Sequence, residues 1–283
     1  MMKIGKYEIV SVETGRFYLD GGAMFGIIPK PLWERSNPPD EKNRIEMAAR
    51  VLLLRSDSKA ILLDTGMGVK WDEKQKGIYN YRFEEHLLLQ SLKQLSISPE
   101  DITDVILTHL HFDHAGGATI SEGGKLTPAF PNAVYHVRKK NYEWGMNASE
   151  RDRGSYIKEN FEPLMKEGVL KLIEGGNYQF DDEIYLPEFN GHTFGQQLPL
   201  IADGETALFF CGDLFPTSSH LALPYIMGYD LQPLQTLAEK KEILKRAVEE
   251  NWTLVYEHDP FYACSKAVFS GKGYVCDELR GEL

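Results

Sequence analysis

The chain has 283 residues, 42% of them hydrophobic, with 25 glycines, and this ordinary globular balance excludes a disordered chain, a fibre or a disulfide miniprotein. Asp and Glu outnumber Lys and Arg 42 to 31, so the formal charge is -11 at pH 7; the basic footprint of a nucleic-acid binder is missing, and an anionic membrane surface would repel the chain. No apolar run approaches the ~18 residues that span a bilayer, and Lys3, Lys6 and Glu8 fall where a signal peptide needs its apolar stretch.

Short apolar runs bounded by Asp or Gly predict strands buried on both faces. In chain order they are 7–13, 48–54, 60–63, 105–108, 133–137, 169–173, 207–211 and 254–256. Helical patterns lie between them. Residues 84–95 place Leu88, Leu92 and Leu95 on one face, Ser98-Pro99-Glu100-Asp101 reads as a capped helix start, and 231–251 is a longer amphipathic helix. Interleaved strands and helices give an α/β or layered α+β class, and the length suits one domain over 1–283. The segment 20–46 stands apart. It is rich in Gly, Pro and charge yet carries Met24, Phe25 and Trp33, so it is expected to be a lid over a substrate pocket or an arm packed on its own domain or on a dimer partner. Cys211, Cys264 and Cys276 form no C-x-x-C pair, which suits a reducing, cytoplasmic compartment.

Chemistry concentrates in Thr108-His109-Leu110-His111-Phe112-Asp113-His114-Ala115-Gly116-Gly117. If the preceding strand continues briefly, His109 and His111 face one side while Leu110 and Phe112 face the other, before a turn brings round Asp113 and His114. Three imidazoles and a carboxylate in six residues suit Zn²⁺, Mn²⁺ or Fe²⁺. Four ligands are too few for two metals. His192, Asp213 and His258 each follow an apolar strand, where α/β sites are built, and together supply the missing donors. Asp64 is either a residue orienting a ligand histidine or a strand-end Asp bonding its own turn, and Glu257, beside His258, is either a support behind a ligand or a solvated neighbour. His86 and His136 are expected to be packing residues. His220 is either a pocket wall or acid, or structural.

With these residues in hand, the chain resembles the metallo-β-lactamase fold superfamily from about Tyr7 to His258. The likeness rests on Leu63-Asp64-Thr65-Gly66, the histidine-rich run, Gly191-His192-Thr193, Asp213 and His258. It implies an αββα sandwich with metals at one edge. It also implies one metal on His109, His111 and His192, another on Asp113, His114 and His258, and Asp213 with a hydroxide bridging the two. Zinc β-lactamases generally carry a cysteine where Asp213 stands, so antibiotic hydrolysis is not the expected activity. Diiron flavoproteins of the fold carry glutamate where His111 stands. Segments 20–26, 29–33, 219–224 and 226–230 are similar to the lactonase-like and organophosphate-hydrolase-like branch. Pro216 stands where many acyl-homoserine lactonases place a tyrosine, and Tyr225 or His220 is the expected substitute.

The expected function is a dinuclear-metal hydrolase of small esters or lactones, zinc first and Mn²⁺ or Fe²⁺ as alternatives. A hydroxide shared by two metals is the nucleophile, because metal binding lowers the pKa of water toward ~7. Asp113, His220, Tyr225 or a water is the proton donor. Organophosphate or thioester cleavage are variants. An iron persulfide dioxygenase and a nuclease of the same fold are weaker readings, the second because it needs a basic face. The expected partner is a small molecule, with a homodimer allowed and neither nucleic acid nor membrane.

Overall fold

Two seven-stranded mixed sheets organise the computed structural model, which describes residues 2–82 and 85–283. The first runs, in spatial order, Met2–Ile4, Tyr7–Asp20, Arg44–Arg55, Ala60–Leu63, Asp104–Ile106, Val134–Arg138 and Leu170–Ile173. The second runs Tyr178–Gln179, Ile184–Leu186, Leu200–Ala202, Ala207–Phe210, Thr253–Val255, Cys264–Phe269 and Tyr274–Arg280.

The period-2 geometry of a strand explains how the layers stack. Leu52, Leu54, Ile61, Leu63 and Ile106 point inward and meet Ile201, Leu208, Phe210 and Val255 of the other sheet. Their immediate neighbours Val51, Leu53, Leu62 and Val105 point outward and pack with Leu88 and Leu92 of the helix Leu87–Gln94. On the far side, Phe209 and Leu254 pack with Ile243, Leu244 and Ala247 of the helix Pro233–Glu249. Helix, sheet, sheet, helix is the resulting order. The expected helix over 84–95 is seen over Leu87–Gln94, with Glu84 outside the described residues.

Strand ends decide where chemistry can sit. Ala60–Leu63 and Asp104–Ile106 are parallel, with Leu63 opposite Ile106, so Asp64 and the histidine run leave the first sheet at one edge. Ala207–Phe210 and Thr253–Val255 are parallel too, with Phe210 opposite Val255, and deliver Asp213 and His258 together. The C-terminal hairpin had no strand expectation: its exposed Val268, Phe269, Val275 and Leu279 leave no apolar run of the buried kind.

The segment after Asp20 is shorter than its composition suggests, because Tyr7–Asp20 and Arg44–Arg55 pair as far as Asp20 opposite Arg44. Between them lie two short helices, Gly21–Phe25 and Lys30–Trp33. The Asp20 carboxylate caps the first by accepting from the Ala23 N–H. Met24, Phe25 and Trp33 are buried with Phe17, Met47, Phe112 and Met227.

Candidate metal centre

Between Asp104–Ile106 and the short helix Phe112–Ala115 the chain leaves the sheet, and Leu110 drops into the outer core while His109 and His111 come together. Gly116 and Gly117 permit this turn. A Cβ on Gly116 would lie 2.1 Å from the Met67 carbonyl oxygen and one on Gly117 2.2 Å from that of Thr65. The close approach is therefore to the neighbouring 65–67 backbone.

His109, His111, His192 and Asp213 form one buried group of donors, and Asp113, His114 and His258 a second. In the first, His111 Nδ1 lies 3.0 Å from His109 Nε2 and 3.1 Å from His192 Nε2. In the second, His114 Nε2 and His258 Nε2 are 3.2 Å apart. Asp213 faces both: Oδ2 lies 3.0 Å from His192 Nε2, while Oδ1 lies 3.2 Å from His258 Nε2 and 3.4 Å from His114 Nε2. Asp113 stands further off, its oxygens 3.7 Å from His258 Nε2 and 3.9 Å from His114 Nε2.

The other ring nitrogens fix which atom is a base. His258 Nδ1 donates to the Ala48 carbonyl at 2.8 Å, and His192 Nδ1 donates to Asp230 at 2.9 Å. His114 Nδ1 donates to Asp64 at 3.0 Å and has Glu257 at 3.1 Å. Thr108 Oγ1 donates to Asp64, so its lone pair is left to accept from His109 Nδ1 at 3.0 Å. Each of these four rings, when neutral, turns an Nε2 lone pair toward the centre.

Facing lone pairs about 3 Å apart repel unless a cation lies between them. Ligand nitrogens around a tetrahedral zinc, at Zn–N of about 2.0–2.1 Å, are themselves about 3.3 Å apart. The observed spacings match that, and Asp213 Oδ1 is buried without a hydrogen-bond partner. The residues fit two cations sharing one carboxylate.

Electrostatics separates the histidines of the site into two kinds. Burial pulls His109 and His111 well below the usual histidine range, and neighbouring imidazoles add to the effect. Burial also opposes charge on His114 and His192, but there carboxylates prevail. Glu257, Asp213 and Asp113 lift His114 well above its usual value, and Asp213 and Asp230 lift His192 to about 10. Asp213 is held well below the carboxylate range by His114 and His192 despite its burial. Burial pushes Glu257 up to about 8. His192 in the first group and His114 in the second thus draw positive charge more strongly than His109 and His111.

Asp64 resolves in favour of positioning. Its oxygens accept from the Thr108 N–H and hydroxyl, each at 2.6 Å, and it bonds His114. Its backbone adopts φ of 61°, a strained conformation for a non-glycine residue that these buried bonds hold in place.

A cavity of about 160 Å³ opens onto both groups, lined by His111, Asp113, His192, Asp213 and His258. Its apolar wall is Leu19, Met24, Met47, Phe112 and Met227, and its polar rim includes Tyr79, Tyr229 and Arg151. Of the three expected pocket residues, Met24 lies on the wall. Phe25 and Trp33 are buried behind it, their rings stacked 5.0 Å apart. His220 is buried with both ring nitrogens engaged, Nδ1 with Thr217 Oγ1 at 2.7 Å and Nε2 donating to the Met24 carbonyl at 2.9 Å. Tyr225 sits edge-on to Phe25. Neither His220 nor Tyr225 lines the cavity, because both are used to hold the arm. Sequence reasoning gave no role to Asp230, Tyr79, Tyr229 or Arg151. Each is a common surface residue type outside any ligand spacing, so only the fold brings it to the site.

A family model described as the metallo-beta-lactamase superfamily matches residues 46–258. An N-acyl homoserine lactonase of Bacillus sp. is 33% identical over 159 residues, 53% of this chain, and the match spans about half (56%) of that relative's length. The crystal structure of a probable metal-dependent hydrolase from Staphylococcus aureus superposes with a TM-score of 0.88 at 28% identity, covering 98% of this chain and 99% of that one. The dizinc quorum-quenching lactonase AidC, in complex with a product N-hexanoyl-L-homoserine, shares the fold with a TM-score of 0.80 at 23% identity, over 98% and 95% of the two chains.

Proposed function

This chain belongs to the metallo-beta-lactamase superfamily and is a metal-dependent hydrolase, and from that premise we propose that it opens small lactones and esters, N-acyl homoserine lactones among them, with two divalent ions, zinc first. The observation that carries the reading is Asp213, which offers one oxygen to each histidine group at the floor of a largely apolar cavity. His109, His111 and His192 would hold one ion, Asp113, His114 and His258 the other, and Asp213 both. When bound, such ions supply Lewis-acid polarisation of an acyl oxygen and an activated water.

The chain's own residues do the rest. Asp64, Thr108, Asp230 and the Ala48 carbonyl keep the imidazoles in the basic tautomer and orientation. Leu19, Met24, Met47, Phe112 and Met227 exclude water and contact an apolar acyl group. Hydrolysis breaks the acyl C–O bond, and the departing oxygen needs a proton. Tyr79 and Tyr229 line the cavity, a phenol keeps its proton at neutral pH, and no described side chain or backbone group hydrogen-bonds their hydroxyls. They are better placed to donate than His220 or Tyr225.

The test is elemental analysis of metal-replete protein followed by a substrate panel. About two metal equivalents are expected, with N-acyl homoserine lactones cleaved at least about ten-fold more efficiently than phosphotriesters or thioesters. Protein with full metal that cleaves a phosphotriester or thioester but leaves lactones intact would sink the lactone assignment. At most one equivalent would sink the dinuclear one.

A further inference from the structure

Arg151 is the guanidinium among the described residues lining the cavity. An exposed arginine ordinarily samples many rotamers, but this one is pinned. Its Nη2 donates to the Gly228 carbonyl at 2.6 Å and to the Asp230 carbonyl at 3.2 Å, tying two wall segments together. A guanidinium fixed in this way loses little freedom when a remaining N–H meets a ligand.

Its charge has no protein counter-ion among the described residues. Some arginines of this acidic chain pair with carboxylates, Arg44 with Asp40, Arg50 with Glu13 and Arg246 with Glu250, while Arg138, like Arg151, is held by backbone carbonyls. The acids around Arg151 are engaged otherwise. Asp152 accepts from Trp144 Nε1 at 2.7 Å and Ser149 Oγ at 2.8 Å, and Asp230 is bonded to His192. Asp113 and Asp213 face the histidines. Nε and Nη1 of Arg151 are left as charged donors at the polar rim of the cavity, where they can make a charge-assisted hydrogen bond.

We propose, building on the hydrolase reading above, that Arg151 selects substrates whose acyl portion ends in a carboxylate, so that the lactone or ester taken is an anion. One carboxylate oxygen accepts from Nε or Nη1 of the guanidinium while the acyl ester lies over the donors of the metal centre. Arg151 is thus a specificity residue, and the neutral tails of simple acyl lactones leave its donors unmatched.

Matched lactone pairs test this: succinyl against butanoyl, glutaryl against pentanoyl and adipoyl against hexanoyl homoserine lactone. In at least one pair the anionic member should have a kcat/KM about ten-fold higher or more, chiefly through KM, and the preference should shrink between about 50 mM and about 500 mM salt. Arg151→Met should bring the ratio within the pair to one or below, with Arg151→Lys between. The ratio cancels any general loss, and metal content is measured for each variant because Arg151 also holds the Asp230 backbone. Calorimetric binding of adipate against hexanoate reads the same preference without turnover. Neutral members favoured in every pair, or a preference untouched by Arg151→Met, overturns the proposal. If no lactone is cleaved at full metal, the lactonase reading fails by itself, and the calorimetric preference and its loss in Arg151→Met still decide the role of Arg151.

Discussion

The floor of the cavity and the arm behind its wall both contain buried histidines, and they use them in opposite ways. On the floor, His109, His192, His114 and His258 each engage one nitrogen with a neighbour and turn the other toward a shared centre. In the arm's footing, His220 engages both nitrogens and stacks 4.8 Å from Phe25. Burial is nearly complete in both places. What separates a metal-binding imidazole from a structural one is convergence: several Nε2 atoms aimed at a shared centre, with carboxylates behind them, against one ring whose bonds are all satisfied locally.

The sharpest way to break this comparison is at Asp213. Replacing it by Ala removes the oxygens that face both histidine groups, and activity should fall at least about a thousand-fold with loss of bound metal. His136→Ala is the control. His136 is equally a buried histidine, but it bonds Asp104 at 2.8 Å and shares no centre with other imidazoles, so activity per folded molecule should persist. Equal losses of activity and metal in the two variants would show that convergence is not what matters.

The floor was largely legible in the sequence and the wall was not, for a physical reason. His109, His111, Asp113 and His114 lie within six residues, and His192, Asp213 and His258 follow apolar strands, so local chain geometry alone nearly assembles them. Asp64 was left between two readings because its partners, Thr108 and His114, are 44 and 50 residues away. Asp230 reaches His192 across 38 residues, and the likeness of segment 226–230 to the lactonase-like branch marked its neighbourhood without giving it this partner. Strands showed through where both faces are buried, as in Ala60–Leu63, and failed to show in the half-exposed terminal hairpin. The aromatic content of the 20–46 segment announced burial, but not that Met24 would face the cavity with Phe25 and Trp33 behind it.

A second cut falls on the arm. Phe25 is fully buried, stacked on Trp33 and on His220 and edge-on to Tyr225. Phe25→Ala should cost about 3–5 kcal/mol of stability by the usual cavity effect. It should raise KM for an apolar acyl lactone through loss of support for Met24, and leave metal content unchanged. Denaturant unfolding, elemental analysis and steady-state kinetics read the three quantities. Loss of metal in Phe25→Ala, at a temperature where the protein remains folded, would mean that arm and floor are one cooperative unit and not two regions.

The finest test compares His220 with the floor through pH. Burial holds its pKa down to about 3, and the Met24 carbonyl, which accepts from Nε2, only partly offsets this. In the unfolded chain a histidine titrates near 6.5, so between about pH 6.5 and 3 the unfolded state binds a proton that the native state refuses. Native stability therefore falls as pH drops through that window, by about 2 kcal/mol from this one residue between pH 7 and pH 5. His220→Gln can still donate to the Met24 carbonyl and meet Thr217 without titrating. Its stability should decline less on acidification, so the gap between variant and parent shifts in the variant's favour by about 2 kcal/mol at pH 5 relative to pH 7. The remaining histidines titrate in both proteins and cancel in the difference. Parallel stability curves from denaturant titrations at the two pH values would mean that His220 accepts a proton in the native state, and that its engaged nitrogens do not set it apart from the histidines of the floor.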